Sequence, residues 1–139
     1  MLKQSYNLLV VEDDKSAQSL LVNYLKAEGF NALGVESGKE ALRVIENFPV
    51  DLVLLDIRLP DINGKDLLKV IKEYNPLIAV IMVSALSDVE TVVETLKNGA
   101  EDYIVKPVNL EVLIDKIKAA LQKYEQEIEL KTLVEGENF

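Results

Sequence analysis

The sequence predicts an α/β fold, a parallel sheet with helices on both of its faces. Three observations carry that expectation. Short apolar runs recur along the chain and are continuous rather than alternating, as strands covered on both faces read. Amphipathic helical patterns lie between them. The two alternate five times, with roughly 22–26 residues between strand starts, the length of one strand–helix unit. Such alternation implies a parallel sheet with helices on both faces.

The first strand is Leu8-Leu9-Val10-Val11. Ala17, Leu20, Leu21, Tyr24 and Leu25 follow at helical spacing, and Gly29 stands where a helix-ending glycine belongs. Phe30 to Val35 is a weaker strand, interrupted by Gly34 as an edge strand tolerates. Ser37-x-x-Glu40 reads as a capping box before a short helix around Ala41–Ile45, and Pro49 follows its end. Leu52-Val53-Leu54-Leu55 is the third strand, and the next helix lies around Leu67–Ile71, before Pro76. The fourth strand is Ile78 to Val83. Ser87-x-x-Glu90 reads as a second capping box, opening a helix with Val89, Val92, Val93 and Leu96 and closing at Gly99. Tyr103-Ile104-Val105 is the fifth strand, and Leu110, Leu113, Ile114, Ile117 and Leu121 mark the last helix.

Composition removes whole classes of chemistry. There is no Cys and no His, so a disulfide framework, thiol catalysis, His-ligated zinc and His-based triads are all excluded. Asp and Glu number 24 against 15 Lys and Arg, a net charge of −9, which disfavours nucleic-acid binding. The first residues carry no signal-peptide pattern, and no stretch of about 18 apolar residues is present, so no membrane span is expected. Carboxylate, hydroxyl, Lys and Arg chemistry remains.

Sheets of this kind bind ligands at the carboxyl ends of their strands. Glu12, Asp13 and Asp14 follow the first strand, Asp56 the third, Ser84 the fourth, and Lys106-Pro107 the fifth. Each residue alone has a plainer reading: a helix cap for Asp14, a turn for Asp56, a turn hydroxyl for Ser84, a surface lysine for Lys106. Together they gather carboxylates, a hydroxyl and an ammonium on one edge. Two carboxylates about 4 Å apart repel by about 4 kcal/mol at an effective dielectric near 20. Clustered acids therefore demand a cation. Lys106 supplies one charge, and a hard, oxygen-preferring ion, Mg²⁺ or Mn²⁺, would supply the rest. Such a site suits a phosphoryl group carried on an Asp nucleophile.

The segments Leu8–Asp14, Leu54-Leu55-Asp56-Ile57-Arg58-Leu59-Pro60-Asp61-Ile62-Asn63-Gly64, Val83-Ser84-Ala85 and Gly99–Pro107 resemble, in this order and spacing, the receiver domain of two-component response regulators. The resemblance covers about residues 6–122. It implies a flavodoxin-like, doubly wound, five-stranded parallel sheet of strand order 2-1-3-4-5 with five helices. It implies that Asp56 is the phosphoacceptor and that Glu12, Asp13, Asp56 and the backbone carbonyl of Arg58 hold the metal. Lys106 and Ser84 would contact the phosphoryl group. Ser84 and Tyr103 would form the switch, Tyr103 pointing outward without phosphate. The Lys106–Pro107 bond resembles one the family often holds cis. The implied partner is a sensor histidine kinase or phosphotransfer protein. The chain would catalyse its own phosphorylation and slow self-dephosphorylation, without being a dedicated enzyme. Its setting would be cytoplasmic.

The expected division is a receiver domain, 1–122, and a C-terminal helical extension or linker, 123–139, partly disordered. Ile114, Ile117, Leu121, Tyr124 and Ile128 fall at 3-4-3-4 spacing, so the last helix is a candidate coiled-coil partner. A second candidate surface for a homodimer is the face of the fourth helix, fifth strand and fifth helix. The wording around Gly99 and Lys106 also resembles regulators of the nitrogen-regulator-like, enhancer-binding type, whose output is transcription. Residues 135–139 read as an irregular end.

Competing functions fit less well. Small-molecule phosphohydrolases with an Asp nucleophile commonly carry a second Asp two residues on, where this chain has Arg58. A nucleotide or flavin site would need a glycine-rich loop after the first strand, where Glu12-Asp13-Asp14 repels phosphate. A degenerate receiver that only binds partners would have no need of the full set of pocket residues.

Overall fold

The computed structural model describes residues 5–137. Its elements alternate throughout: β1 (Asn7–Val11), α1 (Lys15–Ala27), β2 (Asn31–Val35), α2 (Gly38–Asn47), β3 (Leu52–Leu55), α3 (Gly64–Tyr74), β4 (Ala79–Ser84), α4 (Val89–Lys97), β5 (Asp102–Val105) and α5 (Leu110–Glu137). The strands form one sheet in the order β2-β1-β3-β4-β5, every pair parallel.

Period-two alternation divides each strand between two cores. Leu8 and Val10 face a cluster with Leu54 and Ile81 that α1 and α5 close through Leu21, Leu25, Leu113 and Ile117. Leu9 and Val11 face the other side, with Val53 and Leu55, closed by α2 and α3 through Ala41, Ile45, Leu67, Leu68 and Ile71. Both faces are buried, which is why the sequence runs are continuously apolar. Each fully buried Leu contributes about 1.5–3 kcal/mol of transfer free energy.

Helix ends follow local chemistry, with one correction. Asp14 caps α1 by accepting from the Ala17 amide, and Ser37 caps α2 by accepting from the Glu40 amide. The expected Ser87–Glu90 box does not form: α4 is capped by Asp88, whose Oδ2 accepts from both the amide and the hydroxyl of Thr91 (3.1 and 2.8 Å). A carboxylate that takes two donors outcompetes the hydroxyl one residue earlier. Gly29 and Gly99 have φ of 96° and 103°, the left-handed positions that end α1 and α4.

Two apolar stripes are used differently from what their spacing suggests. In α4, Thr91 and Thr95 turn inward, while Val89, Val93 and Leu96 are 75%, 42% and 43% exposed. In α5, Ile114, Ile117 and Leu121 are buried in the domain's own core and Tyr124 packs against it, so the expected coiled-coil seam is occupied by the domain itself as far as Tyr124. Leu130, Leu133 and Val134 form a separate exposed stripe beyond. The helix also includes residues 135–137, read from sequence as irregular; Asn138 and Phe139 lie outside the described residues.

Candidate functional site

Hydrogen bonds that extend the sheet one residue past its strands fix the site. The amide of Glu12 donates to Val35 O (3.0 Å), that of Asp56 to Val11 O (3.1 Å), and that of Lys106 to Ser84 O (2.9 Å). These residues are therefore held in ladder register, although each lies outside a strand. Gly64 sits so close to the end of β3 that a Cβ there would collide with the Asp56 carbonyl oxygen and stand 2.6 Å from Ile57 Cα.

The carboxylates of Glu12, Asp13 and Asp56 come within 4.8 Å of one another, and among the described residues this is the acid group able to share an ion. Glu12 and Asp56 are buried, 3% and 7% exposed, while Asp13 is exposed. Lys106 reaches across from the far strand. Its Nζ donates to Asp56 Oδ2 at 2.9 Å and to Glu12 Oε1. Glu12 Oε2 accepts from the Asp14 amide (3.2 Å), and Asp56 Oδ1 accepts from the Arg58 amide (3.3 Å). Lys106–Pro107 is a cis peptide bond.

Burial pushes the Glu12 carboxyl above its ordinary pKa, and the Asp56 charge adds to this against the Lys106 and Asp14 hydrogen bonds. Burial opposes the Lys106 charge, but the hydrogen bonds to Glu12 and Asp56 overcome it and raise its pKa. Three carboxylates thus face one ammonium, and a divalent cation would close the charge balance. All the donors are oxygens, the set Mg²⁺ and Mn²⁺ prefer. The residues present fit such an ion.

Ser84 is buried at the end of β4, and its Oγ accepts from the Leu86 amide (3.3 Å). Tyr103 departs from the expected outward posture. Its ring is partly buried against the core that α2 and α3 close, and its hydroxyl donates to the Leu86 carbonyl at 2.6 Å, beside Ser84. Burial raises the Tyr103 pKa, partly opposed by the Ser84 hydrogen bond. The Arg58 side chain is exposed, and its backbone bridges Asn63 across the β3–α3 loop.

Sequence reasoning therefore named the acids, Ser84 and Lys106, which the fold brings to one edge. It missed the Leu86 carbonyl, a backbone group with no signature in sequence. It also missed Asp61, which accepts from the amides of Gly38 and Lys39 at 2.9 Å each. Those partners are more than twenty residues away, so no local pattern could have disclosed them.

A doubly wound sheet with an oxygen-donor acid cluster at its carboxyl edge is the class this molecule falls in. The pattern of the response regulator receiver domain matches residues 8–118, and the chain belongs to that family. A cyclic di-GMP phosphodiesterase of Thermotoga maritima is 42% identical over 115 residues, 83% of this chain and 31% of that protein. The transcriptional regulatory protein ZraR of Escherichia coli is 40% identical over 123 residues, 88% of this chain and 27% of that protein. The crystal structure of NtrX from Brucella abortus superposes with a TM-score of 0.88 at 31% identity, covering 93% of this chain and 30% of that one. The chain thus spans under a third of the length of these relatives. Among the described residues, no helix is long and apolar enough to cross a membrane.

Proposed function

We propose that this receiver domain accepts a phosphoryl group on Asp56 from a phosphohistidine of a sensor kinase or phosphotransfer protein, in the cytoplasm. A carboxylate oxygen of Asp56 forms the new P–O bond as the donor's P–N bond breaks, and the leaving imidazole takes up a proton. Glu12, Asp13, Asp56 and the Arg58 carbonyl would hold Mg²⁺ or Mn²⁺, which supplies charge neutralisation at the phosphoryl oxygens. Lys106 neutralises a further oxygen, and the Ser84 hydroxyl donates to another. Water then hydrolyses the acyl phosphate and resets the domain.

The observation that carries this reading is Lys106 bridging Glu12 and Asp56 with Asp13 alongside. The readout falls to Ser84 and Tyr103, whose hydroxyls share the β4–α4 loop. Phosphorylation shifts the population of their arrangements only by favouring one over the other. The neighbouring face of α4, β5 and α5 exposes Val89, Val93, Leu96, Val105 and Val112 and is the surface for a second copy or a target. The Leu130–Val134 stripe is the alternative dimer contact. Residues 1–122 are the switch and 123–139 the connection to an output. Similarity to ZraR and NtrX favours a transcriptional output of the enhancer-binding type.

Incubation with Mg²⁺ and acetyl phosphate or phosphoramidate, read by intact mass, tests the reaction. An adduct of about 80 Da is expected, absent from Asp56→Asn and from samples with chelator. No adduct with any donor would overturn the reading.

A further inference from the structure

The β3–α3 loop is anchored at a point the chemistry above does not use. Asp61 places one carboxylate oxygen on the Gly38 amide and the other on the Lys39 amide, both at 2.9 Å. These are the first two residues of α2, whose own cap, Ser37, serves the Glu40 amide instead. An anion at a helix N-terminus also meets the favourable end of the helix dipole. The two hydrogen bonds hold the Asp61 carboxyl below its ordinary pKa, so it stays ionised at neutral pH.

The next residue docks on the same spot. Gly38 is buried, and a Cβ there would collide with Ile62 Cγ2. The tip of the loop is therefore fixed to α2 at two points, by hydrogen bonds and by packing. At its base, the loop is closed by the Arg58–Asn63 bridge and by the Gly64 amide donating to Ile57 O at 2.7 Å. Arg58 lies in that base, its amide 3.3 Å from Asp56 Oδ1.

We infer that Asp61 is a positioning residue for the metal and phosphoryl site, clamping the β3–α3 loop to α2 so that the Arg58 backbone is held against Asp56. This rests on the function proposed above. The clamp touches neither metal nor phosphoryl group, and it acts through the loop's backbone. A short hairpin closed at its base but free at its tip could tilt, carrying the Arg58 peptide with it. Outer partners that orient ligands in this way are worth about tenfold or more in metal affinity.

The test compares two caps on the same helix. Asp61→Ala removes the clamp, whereas Ser37→Ala removes a cap hydrogen bond from α2 without touching the loop. Both should lower the melting temperature by a similar amount, about 4 °C. Titration calorimetry with Mg²⁺ alone should then separate them. Asp61→Ala should weaken binding about tenfold, and Ser37→Ala should leave it unchanged. Asp61→Asn, which keeps one acceptor oxygen, should fall between. With acetyl phosphate, the Mg²⁺ concentration for half-maximal rate should rise in Asp61→Ala, while the rate at saturating Mg²⁺ stays within about twofold. Equal Mg²⁺ affinity in the two alanine variants would overturn the inference and leave Asp61 as a cap. Absence of Mg²⁺ binding by the unmodified chain would instead overturn the proposed function, and the inference with it.

Discussion

The two ends of the sheet each bury acid, and they set it among different partners. At the carboxyl end, Glu12, Asp13 and Asp56 crowd within 4.8 Å, and Glu12 and Asp56 share the ammonium of Lys106. At the amino end, Asp51 is 4% exposed and accepts from the Asn7 amide at Oδ2 and the Tyr124 hydroxyl at Oδ1, both at 2.8 Å. The first arrangement is short of positive charge and suited to a ligand. The second is a joint, tying the start of β1, the start of β3 and α5 together. Burial of an acid does not by itself mark a reactive site; the balance of the charges and donors around it does.

Substitutions at the two ends should therefore act with opposite sign. The largest effect is expected at the joint. Asp51→Ala leaves the Asn7 amide and the Tyr124 hydroxyl without this acceptor, and should cost about 3 kcal/mol in urea unfolding. Its affinity for Mg²⁺ should be unchanged. A variant as stable as the parent would show that the two ends are not the different devices described.

Tyr124→Phe removes one bond of that joint and should cost about 1 kcal/mol at neutral pH. It should also alter the alkaline limb of stability. Burial, the hydrogen bond to Asp51 and the charge of Asp51 push the Tyr124 pKa well above its usual value near 10. A folded-state pKa above the unfolded one gives stability that is full below about pH 10 and lost as pH rises through the folded value. Lys106 is raised as well and titrates in the same direction. The difference between parent and Tyr124→Phe isolates the tyrosine, so the variant should lose less stability between neutral and strongly alkaline pH.

At the carboxyl end the sign reverses. Asp13→Asn removes one of three mutually repelling charges and should stabilise the metal-free domain by about 0.5 kcal/mol, since Asp13 is exposed and screened. It should weaken Mg²⁺ binding, the trade expected where a site is built for a ligand rather than for stability. A loss of stability would contradict the charge argument. The smallest effect belongs to the outward face of α4: Val93→Thr should change stability by no more than about 0.5 kcal/mol. Sedimentation with a beryllofluoride phosphoryl mimic should show whether the same change weakens self-association.

The carboxyl end was also the more legible of the two. Each site residue directly follows a continuous apolar run or closes one, so finding the strands found Glu12, Asp13, Asp56, Ser84 and Lys106. The joint was not legible, because Asp51 meets residues 44 and 73 positions away. The α4 stripe misled for a related reason. Val89, Val93 and Leu96 have helical spacing whichever way the helix turns, and the inward face consists of threonines, which periodicity scores as polar. Thr95 lies buried there because its hydroxyl donates back to the Val92 carbonyl at 2.9 Å. The posture of Tyr103 depends on a main-chain oxygen in the β4–α4 loop, and a residue string carries no record of it.

The 28 residues of α5 form one uninterrupted rod of about 42 Å at 1.5 Å per residue. Near the middle it is bolted down: Lys123 to Glu101 (3.1 Å), Tyr124 to Asp51 (2.8 Å) and Glu125 to the hydroxyl of Tyr6 (3.1 Å). Beyond those bolts about 18 Å of helix continues. A tilt of about ten degrees at the bolts would carry the far end through about 3 Å, close to one side chain's width. The amino end of the sheet is the fulcrum of a lever, and its stiffness sets how small a motion in the domain can be felt at the tip.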